Sequence, residues 1–380
     1  MKGKESALYS HYIIDGLKCD MTPAELLDEC MHESDGILEL PEFDDIIDEP
    51  TEAPLSLFTP DSSKHEEYLE QTLAASSEER QFMMLYPEHF TRMQIAKTLL
   101  GRLWSEGHFR LGDLRLWAQW DWNTRPIGNL ASFYRSCQTA NEYIFGLGVR
   151  MTDYIFIEGD EGCSARFYAW LPEDDIEDPH IEDDIKAPYE SRHPWIGEKR
   201  RCPSAIIPDK DSWLIYIPFD TCPYRLGGSL LSQTCGKTGG QKTNIQDPDY
   251  FIDCYEVVRE LVEDGIVKAG ITVADGGLAA AAARICGEYG AELDLKGIAA
   301  SYEEDDRIRI LFGEVPGALI QIKDTDYDYV DSQLLLQDIA YYPLGHPCME
   351  ARGISVQDNS KTSVADILAS LLGHTSEGED

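Results

Sequence analysis

Between Gly270 and Cys286 the chain has one economical way to fold: a strand, a sharp turn and a helix. Ile271, Thr272 and Val273 are β-branched and suit a strand. Asp275 follows, then Gly276 and Gly277, two consecutive residues free to take positive φ. Leu278 and the five alanines of 279–283 then make a strong helix-forming run. The first amides of such a helix have no partner within it, and they favour an anion such as phosphate. On pattern alone, a tight turn with no ligand explains the same residues equally well. A second glycine pair, in Arg225-Leu-Gly-Gly-Ser-Leu230, sets Gly227, Gly228 and the hydroxyl of Ser229 as candidates for lining the same cleft.

The segments on either side extend the alternation. Met93, Ile95, Ala96, Leu99, Leu100, Leu103 and Trp104 recur at helical spacing, with Gly107 as the stop. Leu114 to Trp122 alternates apolar and polar residues as a half-buried strand does, and its tryptophan row reads as core. Asn129 is placed to cap a helix that presents Leu130, Phe133, Cys137, Ala140 and Ile144 on one face, up to Gly146. The acidic block after Leu171 marks a boundary. Beyond it the spacing predicts strands at Trp213–Phe219, Ile266–Val273, Ile308–Phe312, Ala318–Ile322 and Ile339–Tyr342. It predicts helices at Phe251–Val262, Leu278–Cys286, Val330–Gln337 and Val364–Leu372. The expected class is α/β (α+β) in two domains. An acidic, partly ordered extension at 1–86, poor in core residues, would lie on the surface or wrap the next domain. A small αβ domain covers 87–170, an acidic linker 171–203, a larger layered α/β domain 204–348 and a tail 349–380.

Charge narrows the partners. Seventy acidic against 32 basic residues leave a net charge of −38, which repels nucleic-acid phosphates and anionic membrane surfaces. No apolar run approaches the ~20 residues of a membrane span. The first residues lack the apolar core of a secretory signal. Ten cysteines without a CxxC pair point to a reduced, cytoplasmic setting. Gly236-Lys-Thr238 is not a phosphate-binding P-loop, because the required earlier glycine is Leu231. Gly146-Leu-Gly148 lacks the third glycine of a dinucleotide fingerprint. No nucleophile elbow is present, and His346-Pro-Cys348 reads as structural.

Asp275-Gly-Gly-Leu278 with its alanine-rich helix, and Gly290-Ala-Glu-Leu-Asp-Leu295, resemble the carboxy-terminal domain of the phosphoribosylformylglycinamidine synthase and aminoimidazole ribonucleotide synthetase family. The order of further pieces agrees: Leu226-Gly-Gly-Ser229 before, then Leu311-Phe-Gly-Glu-Val-Pro-Gly-Ala318, then Tyr342-Pro-Leu-Gly345. Upstream, Ile95 to Trp104, the strand 114–122 and the helix ending at Leu147 are similar to the small domain of the second synthetase module in the long enzyme.

The resemblance implies a ligase that takes ATP or ADP and magnesium, and amidates formylglycinamide ribonucleotide with ammonia from glutamine. It implies a nucleotide or other phosphorylated small molecule as ligand. A glutaminase subunit, another synthetase module and homodimer formation are the implied protein partners. Carried over position by position, Gly227, Gly228, Ser229, Asp275, Gly276 and Gly277 would hold phosphate, Glu314 would orient a loop, and Asp160 would be a metal ligand. No residue is assigned to catalysis. A non-catalytic nucleotide-binding or scaffolding relative is the alternative. The family's Gly-Lys-Asp-Ser segment is replaced here by Glu158-Gly-Asp-Glu-Gly-Cys-Ser164, in which the lysine that would meet phosphate charge is missing.

Overall fold

The computed structural model describes residues 6–31, 58–75, 82, 84–172, 199–237 and 240–357. In chain order, a short hairpin of β1 (Ile13–Ile14) and β2 (Leu17–Lys18) precedes α1 (Pro23–Glu29), and α2 (His65–Ala75) follows. The small domain holds α3 (Pro87–Arg102), β3 (Arg115–Asn123), α4 (Ile127–Gly146), β4 (Arg150–Gly159) and β5 (Cys163–Trp170). The larger domain begins with β6 (Ser212–Pro218), α5 (Leu230–Thr234), α6 (Pro248–Glu263), β7 (Ala269–Val273) and α7 (Gly277–Cys286). It continues with β8 (Gly290–Leu293), α8 (Lys296–Ser301), α9 (Arg307–Phe312), β9 (Gly317–Lys323) and α10 (Tyr327–Leu336). β10 (Tyr342–Gly345), β11 (Pro347–Cys348) and β12 (Gly353–Val356) complete it.

In the small domain, β3 is the middle strand of three, parallel to β4 and antiparallel to β5. Leu116, Ala118, Trp120 and Trp122 point to the face covered by α3 and α4, and all four are fully buried. The tryptophan row is therefore core. Trp120 Nε1 donates to Ser136 Oγ and Trp122 Nε1 to the Asn129 carbonyl, so each buried indole N–H has a partner.

The larger domain is built on a sheet in the order β10-β6-β9-β7, antiparallel throughout. Its strands are buried on both faces. Ile215, Ile217, Ala318, Ile320 and Ile322 pack into one core with α6 and α10. Leu214, Tyr216, Leu319 and Val273 pack into a second core under α7 and α9. The alternation by single residues along β6 separates the two layers. A smaller sheet, β11-β8-β12, borders the second core.

Several expectations are amended. Ile308–Phe312 is a helix, not a strand. Asp306 Oδ1 accepts from the Ile308 amide and caps it, and the short apolar run fits either state until that cap decides. α4 begins at Ile127, ahead of Asn129, whose side chain instead donates to the Asn123 carbonyl. The last strand of the larger sheet is 342–345 rather than 339–342. α1, within the segment expected at the surface or wrapped on the next domain, takes the second course: it packs on α4 and buries Leu27 completely. The predicted helix at 364–372 and the acidic stretch 39–50 lie outside the described residues, as does most of the 171–203 linker. Strands β4 and β5, which flank β3 on its two sides, had no counterpart in the sequence reading. All ten cysteines are free. Among the described residues no helix is long and apolar enough to cross a membrane.

Segments 87–170 and 204–348 share the first of these cores, and buried polar contacts add to it. Arg259 of α6 is fully buried, donating through Nη1 to the carbonyls of Leu103 and Ser105, each at 2.7 Å, and through Nη2 to that of Gly107. These carbonyls end α3 and the turn after it, so a cation from the larger domain satisfies the C-terminal acceptors of the small domain's helix. Glu263 holds Arg259 Nε at 2.9 Å and His108 Nδ1 at 2.6 Å. Trp104 lies flat on Gly270, where any Cβ would fall within its ring, and donates to Thr272 Oγ1 at 3.0 Å.

Candidate functional site

Trp104 and Arg259 set α3 against β7, and β7 delivers Asp275, Gly276 and Gly277 to the boundary between the domains. Gly276 and Gly277 have φ of +82° and +65°, so both take the left-handed conformation that the sequence allowed for. A Cβ on Gly277 would stand 2.5 Å from the Leu311 carbonyl oxygen, so the turn is pressed onto the end of α9.

The second turn is built differently. Gly228 has φ +75° and Ser229 caps α5, its Oγ accepting from the Ser232 amide at 3.2 Å and donating to the Leu226 carbonyl at 2.8 Å. Gly227 has no room for a side chain because the Gln241 carbonyl oxygen would lie 2.6 Å from its Cβ, and its amide donates to that same carbonyl. The glycine requirement here comes from the protein's own backbone.

Glu314 unites the turns. It is 1% exposed, and its Oε1 accepts from the Leu230 amide at 2.8 Å and from the Gly276 amide at 2.9 Å. One carboxylate oxygen therefore caps the start of α5 and of α7 together, and the Gly276 amide it holds belongs to a residue that the sequence pattern offered to a phosphate. The backbone of Glu314 has φ +55° to bring the side chain there. The six predicted phosphate-site residues and Glu314 thus form one cluster, and Glu314 joins the two turns to each other.

Two residues absent from the sequence reading complete the site. Lys97 Nζ, from α3, lies 2.5 Å from Asp275 Oδ2, with Lys97 46% and Asp275 12% exposed at the side chain. It supplies a cation to the cleft from α3, whose Arg92 and Thr98 also make polar contacts elsewhere. Its sequence signal was faint: one lysine on an otherwise core-facing pattern. Thr72, from α2, is fully buried with its methyl against Gly276, where a Cβ would stand 2.6 Å from Cγ2. Among the described residues its hydroxyl has no hydrogen-bond partner, an arrangement that costs about 1–3 kcal/mol.

Asp160 stands elsewhere, at the β4–β5 turn of the small-domain sheet. It is 63% exposed and paired with Arg125 Nη2 at 2.7 Å. Among the described residues no group of three or more histidine, cysteine or carboxylate side chains is placed to hold a metal ion. Magnesium that arrives with a nucleotide is held by one or two carboxylates, the phosphates and water, and at the cleft Asp275 is a carboxylate that could serve, here paired with an ammonium. Near Asp160 a cavity of about 320 Å³ is lined by Ser10, His11, Thr124, Leu130 and Glu158. Thr124 Oγ1 donates to Glu158 there.

Residues 223–328, which contain both turns, Glu314 and all of β7–β9, match the family described as AIR synthase related protein, C-terminal domain. A probable phosphoribosylformylglycinamidine synthase of Arabidopsis thaliana, chloroplastic/mitochondrial, is 24% identical over 273 residues, 69% of this chain and 18% of its own length. The Homo sapiens phosphoribosylformylglycinamidine synthase is 22% identical over 313 residues, 78% of this chain and 21% of its own. The chain therefore spans about a fifth of these curated relatives. Among solved structures, Thermotoga maritima PurL complexed with FGAR superposes with a TM-score of 0.54 at 11% identity, covering 73% of this chain and 42% of that one. PurLQS from the same organism gives 0.50 at 12% identity, covering 74% and 41%. Residues 223–328 are thus an AIR synthase related carboxy-terminal domain, and over most of its length the chain is a distant homologue of phosphoribosylformylglycinamidine synthase.

Proposed function

We propose that this chain is an accessory module of an ATP-dependent amidating assembly, holding a nucleotide phosphate at the cleft between its domains. In this reading the phosphoryl transfer to formylglycinamide ribonucleotide takes place on partner chains, which also supply the glutaminase and another synthetase module. The single observation that carries it is the pairing of Lys97 with Asp275 beside Gly276 and Gly277. A cation stands where an anionic ligand would need one, and the described residues offer no carboxylate cluster for magnesium. Phosphate positioned by one ammonium and a helix N-terminus is bound without the divalent ion that phosphoryl transfer uses to neutralise developing charge.

Calorimetry with ADP tests the proposal, in EDTA and in magnesium. Saturable binding of equal strength in both, lost in Asp275→Ala, supports the accessory site. Binding that appears only with magnesium returns the chain to a catalytic role, as the ligase the family resemblance implies. No heat at millimolar ADP leaves a scaffold, a reading favoured by Glu314 already filling two of the turn amides. Homodimer formation through the small-domain sheet is a further proposal. Trp117 is 3% exposed on the middle strand, so such pairing would use the sheet's outer face around the exposed Ile157 rather than the edge of β3.

A further inference from the structure

Helix α2 lies across the mouth of the α7 turn, and we propose that it is an autoinhibitory strap that must lift before the diphosphate of a nucleotide can reach Gly276 and Gly277. The proposal rests on the reading of the cleft given above. α2 packs against α5 and α7, the two helices whose first turns Glu314 caps. Thr72 closes directly over Gly276, and its buried hydroxyl, at the start of α7, meets no partner among the described residues. Four residues earlier, Tyr68 sets its ring edge-on to Phe312 at 6.5 Å, beside the α9 backbone that presses on Gly277.

The hold is narrow. Of the eleven residues of α2, Tyr68 and Thr72 are the two that are buried. Beyond that stripe, Gln71 Oε1 lies 3.8 Å from Cys235 Sγ just after α5. Glu66, Glu67 and Glu70 face outward, so the covering helix also presents negative charge to an approaching anion. A helix with two buried side chains and the partly buried Leu69 on the core has little to break when it detaches.

The test uses the full chain carrying Tyr68→Ala and Thr72→Gln together, which leaves the charge at the cleft unchanged. Hydrogen exchange over residues 65–75 reports whether α2 has lifted, and calorimetry with ADP or inorganic pyrophosphate reports the site. The expected result is exchange at the rate of free peptide and at least tenfold tighter binding than wild type. A second variant, Gln71→Cys, is bridged to Cys235 by oxidation or a short thiol cross-linker. The bridged form is expected to bind at least tenfold more weakly than the same protein after reduction or without the linker. Equal affinity in wild type and in the released double variant overturns the strap and leaves the phosphate site standing. No binding in any form, with α2 shown to be released, overturns the strap and the phosphate site together.

Discussion

Lys97 and Asp275 are separated by 178 positions and by the domain boundary, yet their charged atoms meet at 2.5 Å. Lys97 is nearly half exposed, and an ion pair in that setting contributes about 0–1 kcal/mol to stability. Its consequence falls on binding. Lys97→Met is expected to leave the melting temperature within about 2 °C of wild type and to weaken ADP or pyrophosphate at least tenfold. Differential scanning calorimetry and titration on one preparation separate the two effects. A variant that melts early but binds normally would make Lys97 a domain fastener only.

Glu314 is the reverse case, a structural group whose loss is felt throughout the larger domain. Glu314→Ala strands the amides of Leu230 and Gly276 in a buried place, at about 1–3 kcal/mol each. The expected destabilisation is therefore about 2–6 kcal/mol by urea unfolding. Glu314→Gln keeps an acceptor in position and is expected to cost less than half as much. Equal losses in the two variants would show that charge, and not acceptance of these hydrogen bonds, is what the site requires.

How much of this was legible in the sequence follows from where the information lies. The strand–turn–helix at 270–286 and the tryptophan strand are local patterns, and both could be read because period and glycine position are written in consecutive residues. Ile308–Phe312 could not be assigned, since a run that short suits strand or helix until Asp306 caps it. Glu314 was assigned to orienting a loop, and its contact with both turns is set by the packing of α9 against α7. Lys97 carries a faint local signal and Thr72 none. Each reaches the cleft from an element more than 150 positions away, and only the docking of α3 and α2 makes it part of the site.

Acid should loosen the joint between the domains. Burial pushes the Glu263 carboxyl up, but hydrogen bonds from His108, the Phe109 amide and Arg259 outweigh it and hold the group below its ordinary 4.5. A carboxyl depressed in the folded state contributes stability above its unfolded value, and that contribution is lost as pH falls through the folded one. The stability difference between wild type and Glu263→Gln is therefore expected to be constant above about pH 5.5, and to shrink as the pH drops below 4.5. Urea titrations of both proteins at stepped pH measure it. A difference that stays constant down to pH 3 would assign the joint to Arg259 and its carbonyls alone.

Two glycines separate packing from backbone freedom. Gly270 sits on an ordinary strand with Trp104 covering it, so a methyl group there must displace the indole from β7. Gly101 sits near the end of α3 with nothing within 4 Å of its would-be Cβ. Gly101→Ala is expected to stabilise by about 0.5–1 kcal/mol, because it removes unfolded-state freedom and gains helix propensity. Gly270→Ala is expected to destabilise by about 1–3 kcal/mol, as overpacked sites do. It should also break the Trp104 hydrogen bond to Thr272 and open the cleft that Lys97 and Asp275 close. Tryptophan fluorescence would follow the indole as it moves toward water, and the loss of ADP binding in Gly270→Ala would be larger than its change in stability alone produces. If Gly270→Ala unfolds at the wild-type urea concentration with unchanged fluorescence, Trp104 does not set the spacing of the two domains.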